Sequence, residues 1–531
     1  MAVSSSFVVQ DGVHLHVRRC GERGVPLVML HQAPTSARVL ESRLERFGAD
    51  FQCIAPDIPG LGRSDALDTD PVTIEKLAAL FNGMLEKLAG GPALLYGSHT
   101  GALVVTEMAI QRPDLAAAVV TNGYPIYTAE ESAQRLATYF PALEPNWDGS
   151  HLVWLWYRYR EQFVYWPWNT KDPGTRAHCA LPSPEYLHKG VAEIAARHDS
   201  YARVYAAAFG YDAPAALTRI SVPMHLVVEH EDSLSLKIGH VAEANASLAL
   251  HPCTEADVEA VEHEILIEAA AGISARGPIS ISTAAETRYF SGEGWRIIAR
   301  RLRGTGGRRP VVVLPPFPAG SVAIEPELPR ALDRDVILLD LDKLPGNGDA
   351  QAALEALGEV LAGVLDVYGV ASADLVVHDE ARALALPLAR ASSRIARVLV
   401  VEAASAPPSM AFDPRLCASG GHLLRLWDRL RFKGLGASER PRHESLERLG
   451  RLAWSAIGAA EQIPAWDRLI GNFAAAADGE LLGERIMLLK AGVHAREALA
   501  GSSVRDLGFE PGPPNRPLAA ALRMLSQEQG S

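Results

Sequence analysis

The chain has 531 residues, of which 48% are apolar, and its formal net charge is −12. This length exceeds what one hydrophobic core usually supports, so two domains are expected. The acidic balance disfavours a nucleic-acid groove or an anionic membrane as the partner, because both reward clustered Lys and Arg. The first residues lack a signal-peptide pattern, and no run reaches the roughly 18 apolar residues of a membrane span. We therefore expect a cytoplasmic protein.

Short apolar runs in the first half of the chain predict strands. Helical stretches alternate with them, which is typical of a mostly parallel sheet covered on both faces. Between about 125 and 215 an aromatic-rich helical insertion interrupts the alternation, and we interpret it as a cap. The predicted strands lie at 26–30, 52–56, 92–96, 116–121 and 223–229.

The stretch LYGSHTGALVVTE combines an apolar strand, a tight turn and a helix-forming run. This is the pattern of a nucleophile elbow, in which small residues must stand two positions before and after the tip. Gly97 and Gly101 meet that requirement, and the tip is then His99. Ser98 is an alternative nucleophile beside the imidazole, but Tyr96 would then stand two positions before the tip, where it is too large.

Three further motifs accompany the elbow in a fixed order. They are HQAP at 31–34, PDIPGLGRSD at 56–65 and, after the cap, PMHLVVEHEDSL at 223–234. With these motifs, residues 1 to about 270 resemble α/β-hydrolases of the epoxide-hydrolase and haloalkane-dehalogenase group. The resemblance implies attack on an electrophilic carbon, an oxyanion held by backbone N–H groups, and a histidine base oriented by an acid.

The resemblance assigns roles by position. His99 takes the nucleophile position and Asp232 the acid position, with Glu231 as a close competitor. The oxyanion and substrate contacts fall to the residue after the tip and to the HQAP loop, namely Thr100, His31, Gln32 and Ala33.

The catalytic histidine of the family does not have a clear counterpart. It should follow the last strand in a Gly-x-His loop. The candidates for this base are His251, at the end of a strand, and less so His263, inside a predicted helix, and neither fits that loop. His99 could itself serve as the base, oriented by Asp232, or attack directly to form an acyl-imidazole. Neither route needs a cofactor. A metal site formed by His31, His99 and Asp232 is disfavoured, because no HxH or HxxxH ligand pair backs it.

The aromatic cap predicts a pocket for a flat, apolar ligand. We expect Trp154 and Trp156 to line it, and His151 to reach it as a further acid or base unless it only packs or caps a helix. Arg158 and Arg160 could bind a carboxylate or nitro group, although exposed helical arginines are the default.

The second half of the chain repeats the first at an offset of roughly 270 to 285 residues. GVHLHVRR from Gly12 returns as GWRIIARR from Gly294, and GSHLVWLWYRYR from Gly149 returns as GGHLLRLWDRLR from Gly420. These echoes predict two tandem α/β-hydrolase-like domains, each a mostly parallel sheet flanked by helices. The predicted boundaries are 1–271 for the first domain, 272–286 for the linker and 287–531 for the second domain.

The second copy is expected to be degenerate. Its alignment puts Glu380 opposite His99, with His378 and Arg382 in place of the two elbow glycines. We expect it to pair with the first copy within the chain, and a homo-oligomer remains open. For the whole protein we predict hydrolysis of a small aromatic ester, amide, lactone or activated ether; the alternatives are a lyase, a cofactor-free oxygenase, or a non-catalytic ligand-binding or assembly protein.

Overall fold

A computed structural model of the chain describes two compact units. The first unit comprises Met1–Leu143 and Leu155–Ala284, and the second comprises Glu144–Trp154 and Ala285–Ser531. The described residues are 3–89, 91–177, 180–230, 232, 234, 237, 238, 245–274, 277, 279, 286–292, 294–317, 320, 321, 333–345, 350–378, 381, 384, 388, 392–402, 413, 415–434, 443–464, 467 and 486–490.

Eight strands form one sheet in the described part of the first unit. Their order is β1-β2-β4-β3-β5-β6-β7-β8; the β1–β2 and β2–β4 pairs are antiparallel and the remaining pairs are parallel. The five strands predicted from apolar runs are β3 to β7. The bounds are β1 Ser4–Gln10, β2 Val13–Cys20, β3 Pro26–Leu30, β4 Gln52–Pro56, β5 Ala93–Ser98, β6 Ala116–Asn122, β7 Met224–Glu229 and β8 Leu248–Cys253.

Helices flank this sheet, and five of those described lie between β6 and β7, where the cap is predicted. Polar residues start several of them: Thr128 and Glu131 form a capping box at α4, and Ser183 caps α6 just before a proline. The bounds are α1 Glu41–Phe47, α2 Ile74–Ala89, α3 Thr100–Gln111, α4 Ala129–Thr138, α5 Ser150–Glu161, α6 Pro184–Ala196, α7 Tyr201–Phe209, α8 Ala213–Arg219 and α9 Val258–Ala269.

The central strands are buried along their whole length. Every residue of β3, β4 and β5 is buried, as expected for parallel strands covered on both faces. Since β3, β5, β6 and β7 run parallel, their carboxyl ends share one edge of the sheet, which is where α/β sheets place their ligand sites. The HQAP loop, the elbow and Asp232 all follow strands at this edge.

The second unit repeats the strand order of the first. Its sheet runs β15-β14-β13-β11-β12-β10-β9, which reproduces the order of β7 back to β1. The antiparallel pairs are again those of the first strands. The bounds are β9 Thr287–Gly292, β10 Trp295–Leu302, β11 Val311–Leu314, β12 Val336–Lys343, β13 Ala373–His378, β14 Ile395–Glu402 and β15 Ile486–Lys490, with helices α10 Ala350–Val367, α11 Gly421–Gly434 and α12 His443–Ala456.

Eleven residues from the cap region, Glu144–Trp154, belong to the second unit, although the predicted boundary assigns them to the first domain. Gly149 packs so closely on the Trp427 indole that a Cβ there would lie 2.6 Å from Cδ1. The Trp427 indole N–H also donates to the Trp147 carbonyl at 2.9 Å. Sequence periodicity cannot show this grouping, because it depends on contacts made about 280 residues away.

Among the described residues, no helix is both long enough and apolar enough to span a bilayer.

Candidate active site

His99 stands at the tip of the turn between β5 and α3. Its backbone has φ 48° and ψ −110°, the left-handed region that L side chains avoid. A Cβ on Gly97 would collide with the Gly101 carbonyl, and one on Gly101 would collide with the Leu30 carbonyl. The two glycines therefore allow the strand and helix to meet closely enough to present His99, as the elbow pattern requires.

The His99 ring reaches the acid loop directly. Its Nε2 lies 3.0 Å from Asp232 Oδ2, and the other carboxylate oxygen accepts the Leu234 N–H at 2.9 Å. A carboxylate only accepts, so Nε2 carries the proton that it donates. In the neutral ring Nδ1 is then the unprotonated nitrogen, and no hydrogen bond joins it to another described residue. The arrangement orients the imidazole and leaves Nδ1 as the basic atom.

Two opposing effects set the charge of this pair. Burial lowers the pKa of His99, but the charge and hydrogen bond of Asp232 outweigh it and raise the pKa above its ordinary value. Glu229 adds to this increase. His99 therefore holds a proton more readily than a free imidazole, and its basic form dominates only at higher pH.

Gly123 gives the ring its space. It follows β6 with φ 63°, and a Cβ there would lie 2.7 Å from Asp232 Oδ2 and would collide with the His99 ring. The preceding residue, Asn122, accepts the backbone N–H of His99 at 2.9 Å and donates its side-chain amide to the buried carboxylate of Glu262 at 2.9 Å. The end of β6 thus supports the elbow from beside it.

The candidate oxyanion donors lie at the same edge. Thr100 is the first residue of α3, so its N–H has no partner within the helix. In the HQAP loop, the carbonyl of Gln32 accepts hydrogen bonds from Thr35 Oγ1 at 3.0 Å and from His31 Nδ1 at 2.9 Å. These bonds hold the loop that carries the backbone N–H groups of Gln32 and Ala33.

Ser98 is buried at the end of β5, and its hydroxyl donates to Gln32 Oε1 at 3.0 Å. Among the described non-glycine residues only Asp11 and His99 have positive φ, so Ser98 is not at the tip of the turn. The structure thus gives Ser98 a contact that links the elbow strand to the HQAP loop. The sequence had left it open as an alternative nucleophile.

His31 differs from its expected place against the substrate. It is fully buried, and its Nε2 accepts the Ile58 N–H at 2.9 Å while Nδ1 donates to the Gln32 carbonyl. Burial also lowers the pKa of His31, which keeps the ring neutral. His31 is therefore a positioning residue that ties the HQAP loop to the loop after β4.

His251, the predicted alternative base, lies on β8. It pairs in register with Val227 of β7, which pairs with Asn122, which pairs with Ser98. Three strand spacings amount to about 14 Å. Its Nε2 lies 3.0 Å from His225 Nδ1, so the structure places His251 with another histidine, not with the His99 and Asp232 pair.

One further sequence alternative does not join the site. His263 lies on α9, with Nε2 3.0 Å from Asp50 Oδ2 and its ring stacked on Phe47. Glu231, the competitor for the acid position, lies outside the described residues.

His151 differs from the predicted pocket lining. The His151 ring packs against Trp427 and Trp454 of the second unit, with centroids 4.7 and 5.0 Å away, and its Nδ1 accepts the Asn146 N–H. Burial lowers the pKa of His151 to about 4, so it is neutral at pH 7. Trp156 is fully buried and Trp154 is 38% exposed. His151 is thus a packing residue, the stated alternative to an acid or base in the pocket.

An aromatic cluster does form in the cap, from other residues. Tyr139 is its centre, with ring centroids 5.1 to 6.2 Å from its neighbours. Two arginines, Arg135 and Arg158, lie over rings of this cluster. The rings around Tyr139 are Phe140, Trp166, Trp168, Tyr205 and Phe209, and Tyr127 packs on Phe209.

Gly123, Tyr127 and Arg135 are not among the residues predicted from the sequence. A glycine directly after a predicted parallel strand, at the edge that carries the elbow, is a signal that could have pointed to Gly123. No sequence signal singles out Tyr127 or Arg135, because the ring contacts depend on how the cap helices pack. Among the described residues, no group of three or more His, Cys, Asp or Glu is arranged to bind a metal ion.

Comparison with known proteins agrees with this fold. Residues 25–176 match the family model of the alpha/beta hydrolase fold. The first unit is an α/β-hydrolase fold domain. The matched residues end inside the cap. The family model therefore covers the strands and turns that carry His31, the elbow and Gly123.

The relatives of this α/β-hydrolase domain carry hydrolase names. The chain is 28% identical over 115 residues to an uncharacterized hydrolase of Saccharomyces cerevisiae, covering 22% of this chain and 40% of the relative. It is 30% identical over 122 residues to (E)-2-((N-methylformamido)methylene)succinate hydrolase of Acinetobacter baylyi, covering 23% and 46%. It therefore spans less than half the length of these curated relatives.

A solved structure is also similar to this chain. The crystal structure of epoxide hydrolase A from Mycobacterium thermoresistibile aligns with 22% identity and a TM-score of 0.40, covering 50% of this chain and 98% of that one.

Proposed function

We propose that the first unit is a cofactor-independent hydrolase in which His99, presented by the elbow, is the catalytic base. The observation that carries the proposal is the 3.0 Å contact between His99 Nε2 and Asp232 Oδ2 at the tip of an intact elbow. The fold and the hydrolase names of its relatives support the reaction class.

The proposed chemistry uses the unprotonated Nδ1. This atom takes a proton from water, and the hydroxide attacks the carbonyl carbon of an ester, amide or lactone. The backbone N–H of Thr100, with that of Gln32 or Ala33, stabilises the oxyanion, and Asp232 stabilises the imidazolium. The imidazolium then returns its proton to the leaving group. This route needs no hydroxyl nucleophile and no second histidine.

A second route differs in one step. Nδ1 itself attacks the carbonyl and forms an acyl-imidazole, which water hydrolyses. An aryl ester with a good leaving group and a hindered acyl group would then leave an acyl group on His99, detectable by mass spectrometry after rapid acid quenching. General-base catalysis leaves no such adduct.

The aromatic cluster favours a small aromatic substrate, and an activated aryl ether also fits the proposed base. The single-base arrangement equally favours the second candidate, a lyase or cofactor-free oxygenase, since a base at the elbow can remove a substrate proton without adding water. Reaction in ¹⁸O-labelled water separates the two, because only hydrolysis transfers the label into the acid product.

The test compares wild type with His99→Ala and Ser98→Ala on aryl esters, amides, lactones and activated aryl ethers. We expect His99→Ala to lower kcat/KM by about 1000-fold or more, and Ser98→Ala by less than about tenfold. Circular dichroism checks that both variants fold. Turnover that depends on Ser98 and not on His99 contradicts the proposal. Tight ligand binding without turnover, unchanged by His99→Ala, would instead support a binding protein.

A further inference from the structure

Arg158 is a buried cation in the cap of the first unit. Its side chain is on α5, and the residue is only 2% exposed. The guanidinium carbon lies 5.3 Å from the centroid of the Tyr139 ring and 5.2 Å from that of Trp168. One terminal nitrogen, Nη1, donates to Gln162 Oε1 at 3.0 Å. The other two nitrogens, Nε and Nη2, are buried and have no hydrogen-bond partner among the described residues.

A buried guanidinium with two unpartnered nitrogens destabilises the folded state. A guanidinium remains protonated in proteins, so burial cannot neutralise it. Contact with aromatic faces recovers less free energy than an unpaired buried charge loses by leaving water. The aromatic rings therefore offset only part of the cost, and an anion on the unpartnered edge would offset the rest.

Two other arginines of the same unit show what fits that edge. Arg38 donates from Nε and Nη2 to the two oxygens of Glu193, both at 2.9 Å. Arg43 uses the same two nitrogens on Glu262, at 2.7 and 3.3 Å. This side-on fork matches a planar carboxylate. Arg158 presents the same fork without a carboxylate from the described chain.

Arg158 is connected to the candidate active site through aromatic rings. Tyr139 packs on Phe209 with centroids 5.1 Å apart, and Phe209 packs on Tyr127 at 5.2 Å. Tyr127 follows Gly123, which gives the His99 and Asp232 side chains their space, by four residues. After burial and Tyr205, the charge of Asp232 also contributes to the raised pKa of Tyr127. The row of rings thus leads from Arg158 towards the acid that holds His99.

The neighbouring arginine on α5 is different. Arg160 pairs with Glu161 Oε1 at 2.8 Å and is about 29% exposed. Arg160 is thus a partly exposed arginine with a carboxylate partner, close to the default expectation for an arginine on a helix. It serves as a matched control.

We propose that Arg158 binds the carboxylate of an aromatic acid substrate, side-on through Nε and Nη2, while the body of the substrate lies along the aromatic row towards His99. The proposal rests on the proposed function for the direction of the substrate, but the binding of the carboxylate can be measured without turnover. The substrate class is then an aromatic compound that carries a carboxylate in addition to the bond that is cleaved.

The test is calorimetric titration of the full-length protein with benzoate, phenylacetate and 3-phenylpropionate, and with the primary amide of each. We expect at least one acid to bind wild type at least tenfold more tightly than its amide. Arg158→Met should abolish this preference, and Arg158→Lys, which keeps the charge but loses the fork, should reduce it. Arg160→Met should retain it.

His99→Ala makes the two proposals separable, because it should bind the acids as wild type does. Equal binding of acids and amides to wild type, no binding of any acid, or an unchanged preference in both folded Arg158 variants would overturn the carboxylate site. Turnover unaffected by His99→Ala, together with an intact acid preference, would overturn the hydrolase mechanism alone. Circular dichroism shows whether each variant is folded, and the preference of Arg158→Lys decides the outcome if Arg158→Met does not fold.

Discussion

The two units share one strand order and differ at the residues that form the elbow in the first. In the first unit, β5 leads into Gly97, the strained His99 and Gly101. In the second, the equivalent strand β13 ends at His378, which stands at the position of Gly97. Glu380 and Arg382, opposite His99 and Gly101, lie outside the described residues. Buried apolar strands are thus enough to repeat the sheet, whereas the elbow depends on two glycines.

The Gly149 and Gly420 turns show the opposite case, a local feature present in both sequence repeats, although both turns belong to the second unit. Gly149 has φ 76° and Gly420 has φ 73°. Two residues later a histidine Nδ1 accepts a backbone N–H: His151 from Asn146 at 3.0 Å and His422 from Cys417 at 3.4 Å. This turn serves packing and is retained, while the elbow glycines, which serve the presentation of His99, are replaced in the second copy.

The largest expected effect comes from making the first unit resemble the second at Gly101. Gly101→Ala should destabilise the first unit by about 4 kcal/mol and remove its activity, since the new Cβ collides with the backbone carbonyl of Leu30. Denaturant unfolding followed by tryptophan fluorescence measures the change. Gly363→Ala on α10 is the control, because no atom lies within 4 Å of its Cβ; equal stability of the two variants would contradict the close packing of the elbow.

Gly123→Ala should act on the site more than on the fold. Its Cβ would displace the His99 ring and crowd Asp232, so we expect kcat/KM to fall by about 100-fold. Gly12→Ala provides the matched control, as it has a similar positive φ of 80° but no neighbour within 4 Å. Comparable activity in both variants would show that backbone strain, not contact with the pair, decides the effect.

Asp232→Asn should change the pH dependence of turnover. The pKa of His99 is raised, so the acidic limb of the rate profile for a His99 base should lie above pH 6.5. Removing the negative charge of Asp232 takes away the largest cause that raises the pKa of His99, so the limb should move to lower pH. The maximal rate should fall by about 10- to 100-fold. Asp65→Asn, which alters the contact with His14, is the control. An unmoved limb would mean that His99 is not the titrating base.

The sequence predicts the sheet and the elbow better than the cap. Strands β3 to β7 are visible because each is a short apolar run, and His99 at the tip follows from the spacing of Gly97 and Gly101. The contact with Asp232 joins residues 133 positions apart, so no local pattern encodes it. In the cap, helical spacing alone cannot decide whether Trp154 and Trp156 line a pocket, pack in a core or lie on the surface.

Distant contacts also decide the burial of the histidines in the motif HLH, which spans His14 to His16. Strand spacing puts His14 and His16 on one face of β2, and an exposed edge strand is the simplest expectation. The structure instead has β1 at the edge, and His16 is buried with Nδ1 2.8 Å from Asp57 Oδ2. The partner lies in the PDIPGLGRSD loop, where Asp57 also accepts the backbone N–H of Arg63 at 2.9 Å. Local sequence patterns underestimate burial whenever the compensating charge comes from a distant loop.

The smallest expected effect tests the second unit on its own. His378 is buried, its Nε2 has no hydrogen-bond partner among the described residues, and burial lowers its pKa to about 4. Between about pH 6.5 and pH 4 the unfolded chain therefore binds a proton that the folded unit does not, so stability falls as the pH falls through this range. His378→Leu removes this proton-binding group and should flatten the decrease.

At pH 7 His378→Leu should be neutral or stabilise the second unit by about 1 kcal/mol, because a buried polar atom without a partner is replaced by a methyl group. Turnover by the first unit should not change. The measurement is denaturant unfolding at pH 7.5 and pH 5, with wild type as reference. A variant that loses stability at both pH values would mean that His378 makes a contact on which the second unit depends, and that the position of Gly97 has acquired a structural role in the second copy.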